Sequence, residues 1–127
     1  MDTLTDGDGE LLIERVSEFL RRNSPPLDDI LGAICELYRV DPDAIADQRG
    51  IVARHMYCYL AVRWTTADRS QIGSRIAVGT HAVKHGFNGV ASQLDNALVR
   101  DDLDLLALRI AERVMARRRV ARHGAHA

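Results

Sequence analysis

The chain holds only two cysteines, Cys35 and Cys58, both at apolar helix positions. There a thiol acts as a small hydrophobe rather than as half of a disulfide. No apolar run approaches the roughly 20 residues that span a bilayer, so no membrane partner is expected. Aromatic residues make up 5%, and nothing alternates polar with apolar for long, so no strand pattern competes with the helical spacing. Internal repeats and low-complexity blocks are absent. So is any Gly-x4-Gly-Lys-Ser/Thr run, the phosphate cradle of a nucleotide-binding ATPase. The acidic start, MDTLTDGDGE, lacks the charged-then-apolar pattern of a signal peptide, and a cytoplasmic location is expected.

What is there describes one ordinary globular domain: 127 residues, 46% hydrophobic and 28% charged, enough for one core and too few for two. The net charge of −1 conceals a split. Residues 1–47 carry four basic groups against twelve acidic ones, a net of −8, and residues 48–127 carry thirteen against six, a net of +7. Between 48 and 90 the only acid is Asp68, set among Arg49, Arg54, Arg63, Arg69, Arg75 and Lys84. A nucleic-acid surface needs a local positive field of this kind, not a high overall pI.

Hydrophobic spacing divides the chain into helices. Residues 1–9, with Gly7 and Gly9, are expected to be a tail. The first helix is expected from about Glu10 to Arg22, on Leu12, Val16, Phe19 and Leu20, and Pro25-Pro26 ends it. The second covers Leu27 to Tyr38, and a short turn from Pro42 follows Asp41. The third spans Ile51 to Trp64, with Val52, Met56, Tyr59 and Leu60 as its core positions. Asp68 recaps the chain for a helix from Arg69 to Ala77, in which Gly73 permits close approach. Thr80 is expected to cap the next helix. Gly86 and Gly89 each cost about 1 kcal/mol of helix propensity relative to alanine, so that helix is expected to end near Phe87. A last helix, broken near Asp101-Asp102, carries Leu94, Leu98, Leu105, Leu106, Ile110 and Val114 toward the core. Its leucines are read as core rather than as a dimer seam. The domain so defined is 10–120, with a central part at 27–90, an extension at 91–120 and a basic tail at 121–127.

Four motifs within this pattern fall in a recognisable order. LDDILGAICELYRVDPDAIAD supplies an opening helix, a Tyr-x-Val turn and a short connecting helix. ARHMYCYLAVRWT follows, then Gln71-Ile72-Gly73, then Val83-Lys84-His85-Gly86. Together they span roughly Leu27 to Val90, half of the chain. They resemble the C-terminal DNA-binding domain of the bacterial replication initiator DnaA, one helix of which reads Arg-Gln-x-Ala-Met-Tyr-Leu, with Arg54 at the arginine and Leu60 at the leucine. The resemblance implies an all-α helical bundle containing a helix-turn-helix, as in domain IV of DnaA (Trp-repressor-like). It also implies that Arg54 enters a minor groove. The family's Gly-Arg-Asp-His-Thr-Thr stands here, one residue shorter, as Val78-Gly79-Thr80-His81-Ala82, so the side chains offered to base edges differ. Thr80, His81, Lys84 and His85 are the candidate major-groove readers, and Arg49, Arg69, Arg75 and Lys84 the candidate phosphate contacts.

Other chemistries fit less well. His81 and His85 have a spacing that metals use, but no cysteine or carboxylate lies near in sequence to complete four ligands. Cys58, Ser70 and Ser74 have no evident base and acid partners, so no enzyme, cofactor, metal or nucleotide site is expected. The expected function is a sequence-specific regulator of transcription that binds double-stranded DNA. An activator is expected, of the kind that resembles those of gene transfer agent and prophage-like clusters. Its acidic N-terminal half would be available to RNA polymerase, a sigma-like factor or a DNA-bending protein. Two alternatives stand beside it: a protein-interaction module that modulates replication initiation without specific DNA binding, and a non-specific nucleoid binder.

Overall fold

The computed structural model describes residues 6–45 and 51–124, with side chains for 13–45 and 51–121. Their regular structure is entirely helical: α1 (Asp6–Asn23), α2 (Leu27–Tyr38), a 3-10 turn (Pro42–Ala44), α3 (Ile51–Trp64), α4 (Arg69–Arg75), α5 (Thr80–Ala91) and α6 (Ala97–Gly124). The centre is α3, which buries Ala53, Met56, Tyr57, Cys58, Tyr59, Leu60, Ala61 and Trp64. A helix buried nearly all round must be enclosed by others, and α3 packs against α1, α2, α4 and α5. Helix α6 closes the opposite side of α1 and α2 with Leu106, Ala107, Ile110, Ala111 and Val114.

Local chemistry sets most boundaries. Asn23 donates to the Phe19 carbonyl at 2.7 Å, Ser24 turns to φ 43°, and the two prolines then restart the chain as α2. Asp68 and Gln71 form a reciprocal capping box at the head of α4, with Asp68 Oδ1 accepting from Gln71 N at 2.8 Å and Gln71 Oε1 from Asp68 N at 2.9 Å. The Tyr57 hydroxyl donates to the Ile72 carbonyl at 2.9 Å and fixes α4 on α3. A Cβ placed on Gly73 would stand 2.4 Å from the Val78 carbonyl oxygen, so only glycine lets the chain fold back there.

Several expectations are corrected. Helix α1 begins at Asp6 rather than Glu10, its backbone running through Gly7 and Gly9, whose low helix propensity sets the expected start; residues 1–5 lie outside the described residues. Helix α6 is unbroken at Asp101-Asp102 and runs through 121–124 to Gly124, leaving only 125–127 of the expected tail outside the described residues. Its cap is Asn96, whose Oδ1 accepts from Leu98 N at 2.9 Å and Val99 N at 3.4 Å. The two aspartates therefore fall in the second turn, where carboxylates suit the dipole. Gly79, not Thr80, occupies the N-cap of α5. Val52 is 57% exposed, at the rim of a cavity of about 130 Å³ lined also by Tyr38, His55 and Val99. Leu98 and Leu105, assigned to the core by spacing, are exposed on the far side of α6.

Candidate nucleic-acid interface

Helices α4 and α5 are joined by the short turn Ile76–Gly79, in which Ala77 takes φ 59°. Helix α5 continues four residues past Phe87, against the expected early end, because its glycines face the core rather than solvent. A Cβ on Gly86 would lie 3.1 Å from Cys58 Cβ, and one on Gly89 would lie 3.2 Å from His55 Nδ1. Both glycines let α5 settle onto α3, and that packing offsets the propensity cost. Farther along, Phe87 stacks on Tyr59 with centroids 5.2 Å apart. The Tyr59 hydroxyl in turn accepts from Arg63 Nη1 at 2.9 Å.

With Val83, Gly86 and Val90 buried, the opposite face of α5 is left to His81, Lys84, His85 and Asn88, all exposed at helical spacing. Thr80 is exposed at the head of the same helix. Of these, Asn88 was missed because the helix was expected to stop before it; counting seven residues on from His81 finds it. Its amide has the donor and acceptor needed for a bidentate contact to adenine. No acid occurs in α5; the nearest in sequence, Asp95, is exposed four residues past its C-terminal end, and on the N-terminal side the carboxylate of Asp68 is occupied by its cap.

The remaining candidates are placed unevenly. Arg69 is exposed at the start of α4. Arg54 is half-buried on α3. Arg75 is exposed but ion-paired to Asp28 of α2 through Nε and Oδ1. Arg49 lies outside the described residues. Thus four candidates, Thr80, His81, Lys84 and His85, share one helix, while Arg75 is held by the acidic half of the chain. The acids of α2 are likewise occupied: Asp29 accepts from Arg117 Nη2 at 2.6 Å and Nε at 3.1 Å, and Glu36 pairs with Arg113.

Behind the exposed face, the His85 ring meets the His55 ring edge to face, with centroids 5.5 Å apart. Burial holds the His55 pKa below its ordinary value, and the charge of Arg54 and the neighbouring His85 lower it further. Its Nε2 is buried with no hydrogen-bond partner among the described residues. Burial also pushes the Cys58 thiol up to about 11, which keeps it protonated and a poor nucleophile at neutral pH.

Among the described residues no three His, Cys, Asp or Glu side chains gather as a metal site. No described helix is long and apolar enough to cross a membrane. A cavity of about 260 Å³ lies between α1, α3 and α6 and is lined by Ile13, Tyr59, Trp64 and Asp104, with none of the eight candidates. No protein-family model matches the chain, and no curated protein or solved structure matches it either.

Proposed function

We propose that the protein is a sequence-specific regulator of transcription that docks α5 in the major groove of double-stranded DNA, with α4 and α5 as a helix-turn-helix. The observation that carries this reading is the acid-free face of α5, where His81, Lys84, His85 and Asn88 stand exposed in one row on a helix seated tightly on α3. Helix-turn-helix proteins read bases from such a face and use flanking basic groups for phosphates. In this reading His81, His85, Thr80 and Asn88 meet base edges, Lys84 and Arg69 hold phosphates, and Arg54 reaches an adjacent minor groove, as the DnaA-like motif order implies. A regulator of the gene transfer agent or prophage-like type, acting with polymerase, a sigma-like factor or a DNA-bending protein, is the form proposed.

One observation favours a second reading, a protein-interaction module that modulates replication initiation. Arg75 is ion-paired to Asp28, so one candidate phosphate contact is already taken. In vitro selection from random duplexes, followed by a salt titration on the winner, separates the two. The first reading expects an enriched motif whose binding weakens steeply with salt. It also expects a large loss on Lys84→Glu and Arg54→Ala. No enrichment, or equal binding to all sequences, overturns it.

A further inference from the structure

Helix α6 has two apolar faces. One is in the core, through Leu106, Ile110 and Val114. On the other, Leu98 is 76% and Met115 51% exposed, and Leu105 and Leu108 are exposed between them. Starting at Leu98 and stepping three, four, three and four residues, this outer stripe also passes Asp101, Glu112 and Arg119. That is the heptad spacing of a coiled-coil seam, carried for about 32 Å at 1.5 Å per residue. Arg109, Arg113 and Arg117, along the edge of α6 that faces α2, are paired with Glu36 or Asp29. Asp101, Glu112 and Arg119 on the outer stripe have no ion-pair partner among the described residues.

The charges choose the occupant and its direction. Acids Asp101, Asp102 and Asp104 lie in the first third of α6, and Arg113, Arg117, Arg118 and Arg119 in the last half. Laid parallel, two copies would set Asp101 on Asp101, Glu112 on Glu112 and Arg119 on Arg119. Laid antiparallel, each three-four step falls opposite its counterpart without a shift: Asp101 faces Arg119 of the second copy, Leu105 faces Met115, and Leu108 faces Glu112. Opposite charges at facing seam positions set both partner and orientation. We infer that the outer stripe of α6 is a self-association surface that pairs with a second copy of the chain in an antiparallel arrangement, with Asp101 and Arg119 forming two equivalent intermolecular ion pairs. The Leu108–Glu112 layer next to the two-fold axis is the weak one.

This inference does not depend on DNA binding, and its test contains no nucleic acid. Sedimentation velocity of the full chain over a concentration series, up to about 100 µM, should show a monomer–dimer equilibrium. Leu105→Glu with Met115→Glu should leave only monomer, with the far-UV circular dichroism unchanged because both side chains are exposed. Asp101→Arg alone and Arg119→Asp alone should each weaken dimerisation about tenfold, equivalent to about 1.4 kcal/mol. An equimolar mixture of these two variants should recover it, because each mismatched end then meets an opposite charge. A misfolded variant does not produce that recovery. A wild-type chain that stays monomeric throughout, a dimer indifferent to Asp101→Arg, or a mixture no tighter than its components would each overturn the inference.

Discussion

Helices α5 and α6 are attached to the same bundle by different physics. Helix α5 is seated by close backbone approach: Gly73 turns the chain toward it, and Gly86 and Gly89 press it against Cys58 and His55. Helix α6 buries its own apolar row but is also laced to α2 by Arg117–Asp29 and Arg113–Glu36. Close packing holds a helix at one setting and is insensitive to salt, whereas exposed ion pairs are screened. The helix proposed to meet DNA is therefore the rigidly placed one, and the helix proposed to meet a second copy is positioned partly by charge.

That contrast is broken most severely at Gly73. Gly73→Ala drives a methyl into the Val78 carbonyl and is expected to cost about 3 kcal/mol of unfolding free energy. Urea denaturation measures this, and a loss below about 1 kcal/mol would show that the turn can relax. Gly86→Val follows at about 2 kcal/mol, with the loss equal at low and high salt. Glu36→Gln probes the other attachment, since the Glu36–Arg113 pair is the solvent-exposed one. Its smaller loss should shrink toward zero at about 1 M salt, where screening reaches within about 3 Å; no loss even at low salt would mean that this pair does not hold α6.

The smallest effect concerns pH. His55 is harder to protonate in the folded protein than in the unfolded chain, where the ordinary value is about 6.5. Below that pH the unfolded chain binds the extra proton first, so folding stability falls as the solution is acidified toward the folded pKa and is fully present above neutrality. The midpoint of thermal unfolding should drop more between pH 7.5 and 5.5 in the wild type than in His55→Gln. Parallel drops would assign the pH dependence to other groups.

The parts of the fold legible in the sequence are those fixed by neighbours in sequence. Ile51–Trp64 follows from apolar spacing, the α4 head from Asp68 and Gln71, and the α1–α2 break from Pro25 and Pro26. Contacts between distant segments were not legible. Propensity treats Gly86 and Gly89 as if solvent surrounded them, and nothing local announces that Cys58 and His55 wait opposite. The outward turn of Leu98 and Leu105 was hidden for the same reason, since α6 is apolar on two sides and spacing alone does not rank them. In the candidate interface, the row from Thr80 to His85 was legible from the helix period. Asn88 was lost with the misplaced helix end, and the Arg75–Asp28 pair joins residues 47 apart in the chain.

The Arg75–Asp28 pair has a consequence for how DNA binding would register in thermodynamic measurements. A lysine or arginine that neutralises a phosphate ordinarily displaces one condensed cation from the duplex, and the slope of log K against log salt counts these events. Arg75 carries its counterion within the protein. Transfer of its guanidinium to a phosphate would strip Asp28, whose bare carboxylate would then recruit a cation from solution. The cation released from the duplex is recaptured, so Arg75 would contribute binding geometry while remaining silent in the salt slope. Asp28→Asn would make it audible, as a steeper slope by about one contact and tighter binding at low salt.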